Sequence, residues 1–241
     1  MTTALQFSGG KDSLACLYLL KPRWSEIVVV WLNSGAVLPE VVAYMEGIKH
    51  MVPRFFEVKA KQTVYERGYP ADMVPTRATP GGMLATGRWP RDSTTPLFQS
   101  RFECCAGTIW QPLKKAMQEI GAKVVIRGQK LADPMRSPIA HGQTVDGIEY
   151  QFPLADWTDA DVEGYLTEQR VSTVSGSCMP NSSLDWWNCT AYLDESGPKL
   201  AYLKAHHPHK HRQVVQVLRA LNRATKYESR VLEDTLAEQR Q

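Results

Sequence analysis

Six consecutive residues, Ser8-Gly9-Gly10-Lys11-Asp12-Ser13, combine the groups that bind a phosphate chain. Two glycines let backbone approach an anion closely and permit positive φ. The amides that open the following helix carry partial positive charge and point outward. Lys11 adds a full charge, and Ser8 and Ser13 add hydroxyl donors. Asp12 is unusual in an anion cradle, so it either holds Mg²⁺ or fixes the loop. The spacing is not that of a Walker A motif, because GxxxxGK[ST] is absent. A plain glycine turn between a strand and a helix is the bland alternative.

Further along, Arg127, Lys130 and Arg136 fall within ten residues after an apolar run. A parallel sheet gathers its ligands at the C-terminal ends of its strands. Three cations there suit a polyanion, and arginine can grip phosphate through two bonds; a solvated basic loop is the alternative. The five cysteines are Cys16, Cys104, Cys105, Cys178 and Cys189. Their odd number and the adjacent pair argue against a disulfide framework and for thiols or metal ligands. Cys16 sits in an apolar helix and reads as core. His206, His207, His209 and His211 follow no standard metal spacing and are interrupted by Pro208, which reads as a basic helix entry.

The elements that must position these groups follow from periodicity. Residues 3–7 form a short apolar strand, and LACLYLL after the loop suits a buried helix. IVVVWL at 27–32 is continuously apolar, as in strands covered on both faces. PEVVAYMEGIKHM at 39–51 predicts a helix with proline in its first turn, and 54–58 a third strand. Residues 60–103 carry five prolines and weak periodicity, which reads as an irregular excursion over the C-terminal edge of the sheet. A helix at 108–121, a strand at 123–128 and another at 149–154 follow. Thr158 and Asp161 predict a capping box at the head of a further helix, residues 171–198 read as irregular, and a long charged helix runs from about 209. Alternating strands and helices predict an α/β fold with a doubly wound, mostly parallel sheet. Two parts are expected: 1–170 as the nucleotide-binding domain, and 171–241 as a cysteine-containing loop with a helical extension.

The chain has 241 residues, 43% hydrophobic and 22% charged, with a formal net charge of +3. That is a globular balance, and the charge alone does not imply nucleic acid. No apolar run is long enough for a membrane span. The first residues lack the pattern of a signal peptide, so a cytoplasmic protein is expected.

The loop SGGKDS resembles the pyrophosphate loop of the N-type ATP pyrophosphatases and their relatives, the PAPS reductase-like proteins. LNSGAVLPE (32–40), FECCAGTIWQPL (102–113), IRGQKLADPMRSP (126–138) and PLADWTDADVEGYL (153–166) resemble further segments of that family in order. The resemblance covers about residues 4–195. It implies an adenine nucleotide alpha-hydrolase-like (Rossmann-like) fold and an adenine nucleotide as ligand, either ATP with Mg²⁺ or PAPS/APS. It implies that Ser8, Gly9, Gly10, Lys11, Asp12 and Ser13 hold pyrophosphate, with Lys11, Asp12 and Ser13 as catalytic residues. Asn33, Ser34 and Gly35 would hold base and ribose, against an ordinary strand-ending turn. Arg127, Gly128, Lys130 and Arg136 would approach the substrate phosphate or sulfate. Iron–sulfur members bind a 4Fe-4S cluster on two adjacent cysteines and a later C-x-x-C pair. Here Cys104, Cys105 and Cys189 match, Trp186 stands where a cysteine is expected, and Cys178 is the substitute; free thiols or zinc are the alternatives.

Three functions follow as expectations. The first is an ATP pyrophosphatase that adenylates an unknown acceptor, for instance for sulfur transfer, favoured by the intact loop. The second is a sulfonucleotide reductase; the resemblance implies a nucleophilic cysteine in an ECGxH-like motif, and no cysteine follows Cys189 in this sequence. The third is a nucleotide-dependent module that binds nucleic acid or a partner protein, permitted by LKAHHPHKHR and LRALNRATK. An amphipathic helix that packs on the core, or on a second copy in a homodimer, explains the same residues.

Overall fold

The apolar runs pair into a sheet whose middle is covered on both faces, as their continuity requires. The computed structural model describes residues 1–60, 67–87, 96–133, 137–174, 186–193 and 196–238. In chain order the elements are β1 (Thr2–Gln6), α1 (Lys11–Leu19), β2 (Ile27–Asn33), α2 (Pro39–Met51), β3 (Phe55–Lys59), β4 (Tyr69–Ala71), α3 (Pro80–Ala85) and β5 (Phe98–Ser100). There follow α4 (Arg101–Cys105), a π-helical stretch (Ala106–Trp110), α5 (Gln111–Glu119), β6 (Ala122–Ile126), β7 (Thr144–Val145), β8 (Ile148–Gln151), α6 (Asp159–Glu168), α7 (Ser196–His206) and α8 (Pro208–Glu238).

The chain divides into two compact units, Met1–Ala60 with Ile109–Asp185 and Lys61–Thr108 with Trp186–Gln241. In the first, six strands run in the order β3-β2-β1-β6-β8-β7. All neighbours are parallel except the β7–β8 hairpin at the edge. The α/β fold with a mostly parallel, helix-flanked sheet is thus as the alternation implied. β1 shows why: Ala4 joins Val28, Val30 and Val125 under Ala116 and Met117 of α5, while its neighbour Leu5 is also fully buried. Successive side chains point to opposite faces, so both faces of β1 are covered. The order reverses direction at β1, with β2 on one side and β6 on the other. A crevice at such a switch point is where open α/β sheets take ligands.

In the second unit, the proline-rich segment read as irregular contains structure that period counting missed. β4 and β5 form a two-stranded parallel sheet, each only three residues long and therefore too short to show alternation. Ala71 and Phe98 on these strands pack against Val217 and Leu221 of α8. The segment read as irregular up to 198 likewise ends in α7, which packs on α8. The capping box at Thr158 forms as predicted: Thr158 N donates to Asp161 Oδ2 at 2.7 Å, and Asp161 N donates to Thr158 Oγ1 at 3.2 Å. Among the described residues, no helix is long and apolar enough to cross a membrane.

Candidate functional site

The loop after β1 is braced by its own hydrogen bonds. Gly9 takes φ +81°, the left-handed region that favours glycine. Gly10 is the N-cap of α1 in extended conformation, with no side chain over the helix end. The first amides of α1 therefore stay available to a ligand. The two serine hydroxyls face each other across the loop. Ser13 is buried; its Oγ donates to Gly10 O at 2.9 Å and lies 3.2 Å from Ser8 Oγ, and Ser8 N donates to Ser13 Oγ at 3.3 Å. The sequence suggested hydroxyl donors; in the fold these hydroxyls hold the loop's shape.

Gly128, two residues after β6, sits where a side chain has no room. A Cβ there would lie 2.6 Å from the carbonyl carbon of Asp12 and 2.8 Å from Ser13 N. The segment after β6 thus passes directly against the backbone that opens α1. Two residues on, Lys130 is nearly inaccessible, with 4% of its side chain exposed. Its ammonium lies 2.7 Å from Asp12 Oδ1 and 3.2 Å from both Asp133 Oδ1 and Asp159 Oδ1. Burial alone would lower its pKa, but hydrogen bonds and charge from Asp12, with Asp159 and Asp133, outweigh this and raise it. Of the two roles weighed for Asp12, fixing the loop is the contact present. A Mg²⁺ ion at this carboxylate would compete with Lys130 for it.

Lys11 is answered from α6, with its Nζ 3.1 Å from both Asp159 Oδ1 and Glu163 Oε1. Burial pulls its pKa down, and the hydrogen bonds to these two acids more than restore it. Asp159 is held below the usual carboxylate value by its hydrogen bonds to Lys11 and then Lys130. These positions are one turn apart on one helix face, and α6 packs on α1. No local pattern marks Asp159 and Glu163 for this contact, since Asp159 follows the Thr158 cap and Glu163 lies in the body of α6; the packing of α6 on α1 brings them to Lys11. Tyr44 is likewise unmarked: its hydroxyl is buried without a hydrogen-bond partner among the described residues, and its ring edge lies beside Gly9. Burial pushes its pKa up to about 12.

Arg127 is half-buried and engaged by its own fold. Its Nε donates to Gln6 Oε1 at 2.6 Å, and its guanidinium stacks over the Tyr150 ring at 5.0 Å. Arg136 lies outside the described residues. After β2, Asn33 Oδ1 accepts from Gly35 N at 2.9 Å and Ser34 Oγ from Ala36 N at 3.1 Å, with Gly35 at φ +76°. This is a tightly wound turn, and Asn33 Nδ2 also donates to Glu57 Oε1 at 2.7 Å. The fold therefore brings the loops after β1, β2 and β6 to the C-terminal ends of three adjacent parallel strands.

Three of the predicted cysteines gather in the second unit. Burial, then mutual repulsion with Cys105 and Cys189, pushes the Cys104 thiol up to about 12. Burial also raises Cys105 and Cys189. Lys199 donates to Cys189 O at 2.7 Å, and Thr108 Oγ1 to Cys104 O at 2.6 Å. Among the described residues, no group of three His, Cys, Asp or Glu side chains is placed to hold a metal ion. Cys178 lies outside the described residues.

A parallel α/β sheet with a glycine-rich anion loop at its switch point defines a class of phosphate-binding domains. Within that class, residues 2–175 match the phosphoadenosine phosphosulfate reductase domain. The chain belongs to this family, whose members are enzymes that bind adenine nucleotides. Similar solved structures include a phosphoadenylyl-sulfate (PAPS) reductase from Candida auris in a phosphate complex, at 15% identity and TM-score 0.47, covering 71% of this chain and 75% of that one. The [4Fe-4S] U34-tRNA thiolase NcsA of Methanococcus maripaludis is 16% identical with TM-score 0.44, covering 92% and 72%. A predicted tRNA methyltransferase subunit from Methanocaldococcus jannaschii is 15% identical with TM-score 0.38, covering 70% and 76%. No curated protein matches the chain.

Proposed function

We propose that this chain binds ATP in the loop after β1 and transfers its adenylyl group to an acceptor, releasing pyrophosphate. The observation that carries this reading is the loop itself: an α1 start with no side-chain cap, a braced Gly9-Gly10 turn, and Lys11 beside it. The β and γ phosphates would lie on those amides, with Lys11 neutralising the charge that grows on the departing pyrophosphate. Asp12 and Lys130 act as positioning residues, tying the start of α1 to the segment after β6. The turn at Asn33, Ser34 and Gly35 would flank the nucleoside. In the reaction an acceptor oxygen or nitrogen attacks the α-phosphorus, the α–β bridging bond breaks, and pyrophosphate leaves with the electron pair.

A sulfonucleotide reductase is the second reading, favoured by the family domain that the chain matches. It requires a thiolate to attack sulfur. Burial raises the pKa of Cys104, Cys105 and Cys189 and so disfavours their thiolates, which ranks this chemistry second. The two are separated by incubating purified protein with ATP and a panel of acceptors, or with PAPS or APS and a dithiol reductant. Pyrophosphate release that needs an acceptor and disappears in Lys11→Ala supports adenylation; sulfite release without pyrophosphate overturns it. Iron and sulfide assays on anaerobically prepared protein test the cluster separately. Stoichiometric iron that is lost in both Cys104→Ser and Cys189→Ser would place a cluster on those cysteines.

A further inference from the structure

The positive charge of this chain is concentrated in one place. Between Ser196 and Tyr227 lie seven of the 28 Lys and Arg residues and none of the 25 Asp and Glu. The remainder is therefore acid-rich, although the whole carries +3. Most of α8 falls in this stretch, and its helical period sorts the charges. Val214, Val217 and Leu221 form the buried stripe, with Val217 and Leu221 packed on Ala71 and Phe98. Arg212, Arg219, Arg223, Lys226 and Arg230 repeat at helical spacing on the opposite side, and all five are exposed. At 1.5 Å per residue they form a row about 27 Å long. Among the described residues none of the five is paired with a carboxylate.

The row borders a cavity. An open cleft of about 260 Å³ is lined by Tyr69, Pro96 and Trp187 together with Gln213, Val214 and Gln216 of α8. Lys210 sits 4.5 Å over the Trp187 ring. Gln216 is one helical turn from both Arg212 and Arg219, so the cavity opens beside the cationic row. Two aromatic rings offer stacking, the side-chain amides of Gln213 and Gln216 offer donors and acceptors, and the volume suits one planar ring system. An unpaired base is recognised in this way, while the phosphates of its strand follow a line of cations. A lipid surface fits the cationic row less well, because the apolar residues behind it, Val217 and Leu221, are already packed on Ala71 of β4 and Phe98 of β5.

We infer that α8 and the Trp187 cavity form a binding surface for single-stranded nucleic acid, with the phosphate backbone along Arg212–Arg230 and one unpaired base in the cavity. This surface is independent of the nucleotide reading, and its test is run without ATP so that either can fail alone. Fluorescence anisotropy of a labelled 20-nucleotide single strand is followed with the full chain between about 50 and 300 mM salt. Five phosphate contacts predict that log K falls with log salt at a slope of about −3.5. Arg219→Glu with Arg223→Glu should weaken binding by roughly tenfold or more and flatten the slope. Trp187→Ala should weaken strand binding by roughly fivefold or more while leaving heparin binding unchanged. Gln216→Ala, on the helix surface, repeats that test in case the tryptophan variant does not fold. Strand binding that is absent at 50 mM salt, or unaffected by the double charge reversal, overturns the inference. So does equal loss of heparin and strand binding in the cavity variants, and so does binding to phosphatidylserine vesicles but not to strands.

Discussion

Replacing Asp159 with Asn and Glu163 with Gln removes two carboxylates that stand 3.1 Å from the Lys11 ammonium, and it keeps their shape. In the ligand-free chain these acids occupy the cation that the proposed reaction needs for pyrophosphate. Their side chains are 69% and 68% exposed, so each pair contributes only about 0.2–1 kcal/mol. Freeing Lys11 from both should tighten ATP binding by about 0.5–2 kcal/mol, roughly two- to thirtyfold. Lys11→Ala acts in the opposite direction: losing a charged hydrogen bond to phosphate costs about 1.5–3 kcal/mol, roughly ten- to 150-fold. Isothermal titration with an α,β-methylene analogue of ATP at low salt measures both. Lys130 keeps Asp12 and Asp133 in the double variant, so the loop retains its anchor. Weaker or unchanged binding in Asp159→Asn/Glu163→Gln would refute the competition and give the acids a supporting role, such as holding Mg²⁺. Because Asp159 has a depressed pKa, its share of the ion pair is present above the ordinary carboxylate value and is lost only as pH falls through the lower folded one. The advantage of the variant should therefore persist across neutral pH and vanish in acid.

Gly128→Ala should damage the site without touching a ligand, because its Cβ would press on Asp12 and Ser13 backbone; nucleotide affinity falls by at least about tenfold if the loop shifts, and wild-type affinity would show that the contact is dispensable. Thr158→Ala removes the α6 capping box and should lower stability by about 1 kcal/mol, read as a fall in the denaturant midpoint with an unchanged slope; no change would mean that α6 is held by packing alone. The raised pKa values of Cys104, Cys105 and Cys189 predict slow alkylation by iodoacetamide at pH 7, accelerating steadily towards pH 10 as thiolate forms; rapid labelling at pH 7 would contradict the burial argument.

The first unit was legible because its strands are long enough to show continuous apolar character and its turns carry glycine. Of the two loop glycines, Gly9 takes the positive φ that the loop suggested, while Gly10 is extended at φ −70°. The braced loop was legible as a motif, but the contact between the Ser8 and Ser13 hydroxyls was not, since a hydroxyl's direction depends on its neighbours. The salt-bridge cluster joins Lys11 and Asp12 to Lys130, Asp133, Asp159 and Glu163 across more than 150 positions, and no local pattern encodes such a contact. In the second unit, three-residue strands and a six-residue helix lie below the length at which periodicity speaks. Their order comes from packing on α8.

The central claim is tested most directly by a crystal structure of the chain with the α,β-methylene analogue of ATP. The account predicts the β and γ phosphates on the amides that open α1, the Lys11 ammonium turned from Asp159 and Glu163 onto phosphate oxygen, and Lys130 still paired with Asp12. A nucleotide bound elsewhere, or one bound at the loop with Lys11 still on its two acids, would contradict it.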